Sequence, residues 1–177
     1  SQINWASVTA TSPNVGLSLV SQGSQLLTQI AITGDLQVIT GTNGVTGGVT
    51  QAPSTWLSIG GSATFTADTK TAQPALLTST SNRFMGALSF NTARGGSWAD
   101  VSVVTPSALQ MGTSLIAGDM NLTVNSGTLT QSGPIRVSGA TNLITLDNNI
   151  TLDDVGNNFV GRVSVDTPAA LKLTTSA

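Results

Sequence analysis

Apolar residues recur at every second position in short runs along almost the whole chain. The runs are Val15-x-Leu17-x-Leu19, Leu36-x-Val38, Leu57-x-Ile59, Leu88-x-Phe90, Val101-x-Val103, Met120-x-Leu122-x-Val124, Ile135-x-Val137, Ile150-x-Leu152, Val163-x-Val165 and Leu171-x-Leu173. A period of two sends alternate side chains to opposite faces of an extended strand. Breaks rich in Gly, Asn, Asp and Ser separate the runs, among them Gly41-Thr42-Asn43-Gly44, Gly60-Gly61, Gly95-Gly96, Asn125-Ser126-Gly127 and Asp147-Asn148-Asn149. These residues supply the positive φ and the short side-chain bonds that tight corners need. The pattern predicts many short strands. Helix is not predicted, because Glu is absent, Lys occurs twice, and β-branched residues and Gly dominate.

The strand pattern also repeats. Gly34-Asp35-Leu36-Gln37-Val38 returns as Gly118-Asp119-Met120-Asn121-Leu122, and Val49-Thr50-Gln51 returns as Leu129-Thr130-Gln131. Leu57-Ser58-Ile59-Gly60-Gly61 returns as Ile135-Arg136-Val137-Ser138-Gly139. The segment from Asn82 to Phe90 returns as Asn157 to Val165. The spacing between matched residues drifts from 84 at Gly34 and Gly118 to 75 at Phe84 and Phe159. Losses fall near 42–48 and 66–81, where loops tolerate them; a slip inside a strand would turn its side chains to the wrong face. The chain therefore reads as a single segment, 1–177, built of two units of about 80 residues, 34–117 and 118–177 continuing. It starts at Ser1 and stops partway into a third unit, which predicts a piece of a longer array or a subunit covered by neighbours.

Strands this short bury little alone. In a parallel β-helix each coil lies on the one below at about 4.8 Å, and the inward residues stack into one long core. At roughly 20 residues per coil, the expectation is an all-β parallel β-helix, or β-solenoid, of about nine coils and roughly 40 Å. The predicted inward set includes Leu36, Val38, Leu57, Ile59, Phe65, Phe84, Leu88, Phe90, Val101, Val103, Leu109, Leu115, Met120, Leu122, Leu129, Ile135, Val137, Leu143, Leu146, Ile150, Leu152, Phe159, Val163, Val165 and Leu171. The alternative is an antiparallel β-sandwich. Its best hairpin signal, Asn43-Gly44, lies in a variable loop.

Composition narrows the function classes. Only 8% of residues are charged, far below the roughly 25% of ordinary domains. All eight acids are Asp, and the six bases are scattered singly. No basic stripe exists, so no nucleic-acid partner is expected. Ser, Thr, Asn, Gln and Gly must form the surface, as in many extracellular β proteins. No apolar run is long enough for a membrane-spanning helix. Cys and His are both absent, which removes disulfides, Cys/His metal sites and a His general base. No catalytic triad or phosphate loop appears, so neither an enzyme nor a cofactor is expected.

The motifs Pro-x-Ala-Leu-x-Met, Leu-x-x-Gly-Asp-Met-x-Leu, Leu-Thr-Gln-Ser-Gly, Ile-x-Val-x-Gly and Asn-x-Phe-x-Gly-x-Val-Ser-Val, in that order at 106–165, resemble repeats of filamentous-haemagglutinin-like, two-partner-secreted adhesins and autotransporter passengers. The resemblance covers 81–177 well and 15–80 more loosely. It implies a right-handed parallel β-helix shaft, export to the bacterial cell surface or beyond, and a structural role in adhesion, aggregation or biofilm matrix. Its partners would be neighbouring repeats, copies of itself, or host or matrix carbohydrate. Two alternatives stand beside it: a self-assembling extracellular fibre or surface-layer subunit, and a carbohydrate-binding β-helix.

Few residues invite a site. Asp147, Asp153 and Asp154, with nearby Asn, form the one oxygen-rich cluster that could suit a hard cation such as Ca²⁺, although no calcium-loop motif accompanies them. Trp5, Trp56 and Trp98 could stack on a sugar or cover an interface, and Trp56 and Trp98 are the candidate glycan or interface contacts because each adjoins a variable loop or glycine break. Asn82 and Asn157 are read as turn residues that fix the backbone before a core Phe.

Overall fold

The computed structural model describes residues 3–4, 7–9, 16–68, 71–166 and 169–176. Trp5, Val15, Lys70, Thr167 and Pro168 lie outside the described residues. The first half of the chain lays three strands per turn. The turns comprise β1 (Ile3–Asn4), β2 (Ser7–Thr9) and β3 (Leu17–Val20); β4 (Gln25–Leu27), β5 (Gln29–Ile32) and β6 (Leu36–Thr40); β7 (Val49–Gln51), β8 (Leu57–Ile59) and β9 (Ala63–Ala67); and β10 (Gln73–Leu77), β11 (Arg83–Phe84) and β12 (Leu88–Thr92). The second half comprises β13 (Trp98–Thr105), β14 (Leu109–Met111) and β15 (Ser114–Ile116); β16 (Met120–Val124), β17 (Leu129–Gln131) and β18 (Ile135–Val137); β19 (Thr141–Thr145), β20 (Ile150–Leu152) and β21 (Asn158–Phe159); and β22 (Val163–Asp166) with β23 (Leu171–Leu173).

Every pairing between described strands is parallel. The protein is a parallel β-solenoid, and the sandwich alternative falls on that observation. Asn43-Gly44 forms no hairpin. It sits in a short 3-10 turn, Thr42–Gly44, with φ of 59° at Asn43 and 76° at Gly44.

One column of partners runs the length of the molecule: Ile3, Gln25, Val49, Ala75, Val101, Met120, Thr141 and Val163. Seven steps along this column make seven turns, not nine. Most of the steps, such as Gln25 to Val49 and Val49 to Ala75, span more of the chain than the expected coil of roughly 20 residues. At about 4.8 Å per step the stack rises about 34 Å.

The strands occupy four stations around the axis. Station one holds β1, β4, β7, β10, β13, β16, β19 and β22; station two holds β2, β5, β8 and β11; station three holds β3, β6, β9, β12, β14, β17, β20 and β23. The fourth holds β15, β18 and β21, joined to station one because Trp98 in β13 pairs with Ile116 in β15. In the first half the chain passes straight from station three to station one. In the second half it passes straight from one to three; only residues 106–108 separate β13 from β14, too few for a strand. The skipped station therefore moves across the axis at β13.

The matched sequence units record that move. β6 corresponds to β16, β7 to β17, β8 to β18 and β11 to β21 by sequence. In space, station three becomes one, one becomes three, and two becomes four. The second unit is turned by two of the four stations relative to the first. Phe84 accordingly stacks on Ile59 and Ile32, while Phe159 stacks on Val137, Ile116 and Trp98. The two Phe share one continuous core but stand in different columns.

Most of the predicted inward set is buried, and the differences are instructive. Leu115, Leu146 and Leu171 are exposed. Leu115 is the outward member of β15 between buried Ser114 and Ile116, and Leu146 has left β19 for a loop. Leu171 pairs with Ile150 in the last described layer, where no described coil covers it. Val163 and Val165 pack against the core but are only partly buried.

Candidate functional site

The matched units place the same polar device at equivalent corners. Gln51 ends β7, and Asn82 precedes β11 one turn later. The Asn82 amide nitrogen donates to Gln51 Oε1 at 2.9 Å, and Gln51 Nε2 donates to Asn82 Oδ1 at 2.8 Å. Asn82 Oδ1 also accepts from the Leu57 amide at 2.9 Å, and Asn82 Nδ2 donates to the Leu77 carbonyl at 3.2 Å. In the second unit Gln131 and Asn157 repeat this arrangement, with Ile135 and Leu152 as the backbone partners. Both Asn are fully buried. An amide can serve two donors and two acceptors at once, which satisfies backbone groups that a corner leaves orphaned. The turn role read for Asn82 and Asn157 is thus joined to a clasp between successive turns.

The Gly-Asp pairs make a second recurring corner. Asp35 Oδ1 accepts from the Ser62 amide and Asp119 Oδ1 from the Ala140 amide, both at 2.7 Å. Gly61 N donates to Gly34 O and Gly139 N to Gly118 O, both at 3.0 Å. A Cβ at Gly61 or Gly139 would run into the backbone and the Asp carboxylate of the turn below. Glycine is required there by close approach, not by φ.

The Gln51–Asn82 clasp holds two loops side by side, 52–56 between β7 and β8 and 78–82 between β10 and β11. Between them lies an open groove of about 520 Å³, lined by residues 51–56 and 78–81. Trp56 is half-buried in its wall. No lining residue is charged, and hydroxyls abound. Bonds within the first loop set its shape: Thr55 Oγ1 donates to the Ala52 carbonyl at 2.7 Å, and Gln51 Nε2 donates to the Thr55 carbonyl at 3.2 Å.

Trp98 has a different place. It is fully buried, its indole Nε1 donates to the Asn91 carbonyl at 2.9 Å, and its ring meets Phe90 edge-on at 6.1 Å. It fills the core where the fourth station begins and presents no face to a ligand. Trp5 lies outside the described residues.

The three candidate acids do not converge, and no group of three metal-ligating acids occurs among the described residues. Asp147 lies in the loop before β20, while Asp153 and Asp154 follow it. Lys172 Nζ donates to Asp153 Oδ2 at 2.6 Å, and the hydrogen bond and charge of that ammonium hold the Asp153 carboxyl below its usual range. Asp154 Oδ1 accepts from the Gly156 amide at 2.7 Å. No helix among the described residues is long and apolar enough to cross a membrane.

The family model for repeats of unknown function (DUF5649) matches residues 14–91 and 99–166. The gap between the copies brackets the link from β12 to β13, just before the strand at which the skipped station moves. The second copy is the shorter of the two, in keeping with the drift that the matched motifs show. No curated protein and no solved structure matches the chain.

Proposed function

The chain belongs to this family of repeats, and we propose that its copies form part of the shaft of a secreted or surface-displayed bacterial adhesin or filament, of the filamentous-haemagglutinin-like kind. One observation carries the reading: two family copies share a single core and a single unbroken ladder, so the length of such a molecule grows with copy number. The ladder bonds run along the axis, which resists extension. The polar, weakly charged exterior supports service outside the cell, where such surfaces are common. The partners in this reading are neighbouring repeats or further copies of the chain, and matrix or host carbohydrate. The segment is non-catalytic and takes no cofactor; its work is to hold a distal part away from the cell.

The test joins length to location. Concatenated chains of two, four and six copies, viewed by electron microscopy, should lengthen by about 34 Å per added pair. Antibody against the chain should label intact, unpermeabilised cells of the source organism. Compact particles of constant length, labelling only after permeabilisation, or release of sugar reducing ends by the purified protein would sink the reading.

A further inference from the structure

We propose that the groove between loops 52–56 and 78–82 is a binding site for a neutral saccharide. The observation is independent of where the shaft is displayed. A sugar ring has one face of C–H groups and a rim of hydroxyls. The first asks for a flat aromatic surface, the second for short uncharged donors and acceptors. The groove brings both together: the Trp56 indole in one loop, and the hydroxyls and backbone of Thr78, Ser79, Thr80 and Ser81 in the other. Its volume of about 520 Å³ suits one or two sugar units.

The lining also says what the site refuses. It contains no Lys or Arg to neutralise a phosphate, sulfate or carboxylate, and no Asp to attract a cation. Hydroxyls in the lining would be left unpaired against a purely apolar ligand. The clasp beneath the groove fixes both loops before any ligand arrives, because Gln51 belongs to one loop base and Asn82 to the other. Pre-formed loops lose little entropy on binding.

The second unit supplies an internal comparison. It keeps the clasp through Gln131 and Asn157, but its first loop has only residues 132–134. Pro134 stands where Trp56 stands, immediately before the matched strand. Its other loop carries Asp153 and Asp154 in place of hydroxyl residues. The same scaffold thus presents two loop chemistries, and only the first suits a neutral sugar. Because the units are turned by two stations, the two loop pairs lie on opposite sides of the shaft.

The experiment titrates the whole chain with glucose, galactose, mannose, N-acetylglucosamine and their disaccharides, followed by tryptophan fluorescence, and screens it on an array of neutral, sialylated and sulfated glycans. The expected result is saturable binding of at least one neutral sugar. Trp56→Ala should weaken it by about tenfold or more, and Trp56→Phe should restore part of the loss. Leu115→Ala, on another face, should leave binding unchanged. Should Trp56→Ala fold poorly, Thr80→Arg at the exposed rim should abolish binding by filling the groove with charge, with the unfolding midpoint unchanged. Absence of saturation by every neutral sugar, undiminished binding by Trp56→Ala or Thr80→Arg, or retention on acidic glycans alone would overturn the proposal.

Discussion

Gln51 and Asn82, far apart in sequence, close a two-bond ring of amides between consecutive turns of the coil. Asn82 also serves the Leu57 amide and the Leu77 carbonyl, so one side chain ties three segments. Asn82→Ala removes the side-chain partner of those backbone groups and strips the Gln51 amide of two of its hydrogen bonds, leaving it the Thr55 carbonyl and the Ser79 amide. It should cost about 3 kcal/mol in urea unfolding. Gln51→Ala should cost less, since Asn82 keeps its two backbone partners. The double variant should fall short of the sum, because both act in one network.

Two kinds of glycine should respond to alanine for different reasons. At Gly139 a Cβ meets the backbone of Gly118, so Gly139→Ala should destabilise by about 2 kcal/mol through overpacking. At Gly44 nothing lies within 4 Å, but φ is +76°. Gly44→Ala should cost about 1 kcal/mol, through backbone strain alone. Thermal unfolding of the two variants should rank them in that order.

Phe90 stacks on Phe65 at 5.5 Å and meets Trp98 edge-on, at the level where the second unit begins. Phe90→Ala should cost about 4 kcal/mol by opening a cavity there. Leu115→Ala, an outward position in β15, should stay within about 0.5 kcal/mol of the parent. Equal losses at the two positions in denaturant melts would contradict the inward assignment.

The Asp153–Lys172 pair sets a small pH effect of known sign. The folded carboxyl titrates below its usual value, so the contribution to stability is present above the unfolded pKa and is lost as pH falls through the lowered folded one. The pair is exposed, and salt should screen it. In Lys172→Ala the slope of stability against pH should flatten in that acidic window and stay unchanged near neutrality. Melting midpoints across a low-salt pH series will read it.

Much of this fold was legible because alternation and repetition survive in the residues themselves. Leu57-x-Ile59 and Ile135-x-Val137 declare both strand and inward face, and all four residues are buried. Turn length was not legible. Loops absorb residues without marking the pattern, so the long turns from Gln25 to Val49 and from Val49 to Ala75 passed as shorter ones. The clasp was half visible: Gln51 with Gln131, and Asn82 with Asn157, are matched pairs in sequence. That each Gln meets its Asn depends on the length of the intervening turn. Trp98 follows Gly95-Gly96-Ser97, which looks like an exposed corner, yet it opens the longest strand and points into the core. Trp56 follows a Pro-Ser-Thr loop and does line a groove; loop composition alone could not tell the two apart.

The half-way turn of the second unit is the feature sequence reasoning missed altogether. Matched strands invite the assumption that they stack in register around the axis. What moves them is local. The link from β13 to β14 is too short to place a strand at station two, and β15 appears at station four instead. Loops of the second unit therefore emerge opposite those of the first.

The most direct measurement of that arrangement uses the absence of native cysteine. Leu76 and Ser102 are register partners where β13 joins β10, and side chains at both positions face outward. Neighbouring strands place such a pair about 4.8 Å apart, within disulfide range. Leu76→Cys with Ser102→Cys should form an intramolecular disulfide under mild oxidation. Ser89→Cys with Ser102→Cys, the pair that units stacked without the turn would bring together, should stay reduced. Crosslinking of the second pair and not the first would contradict the account.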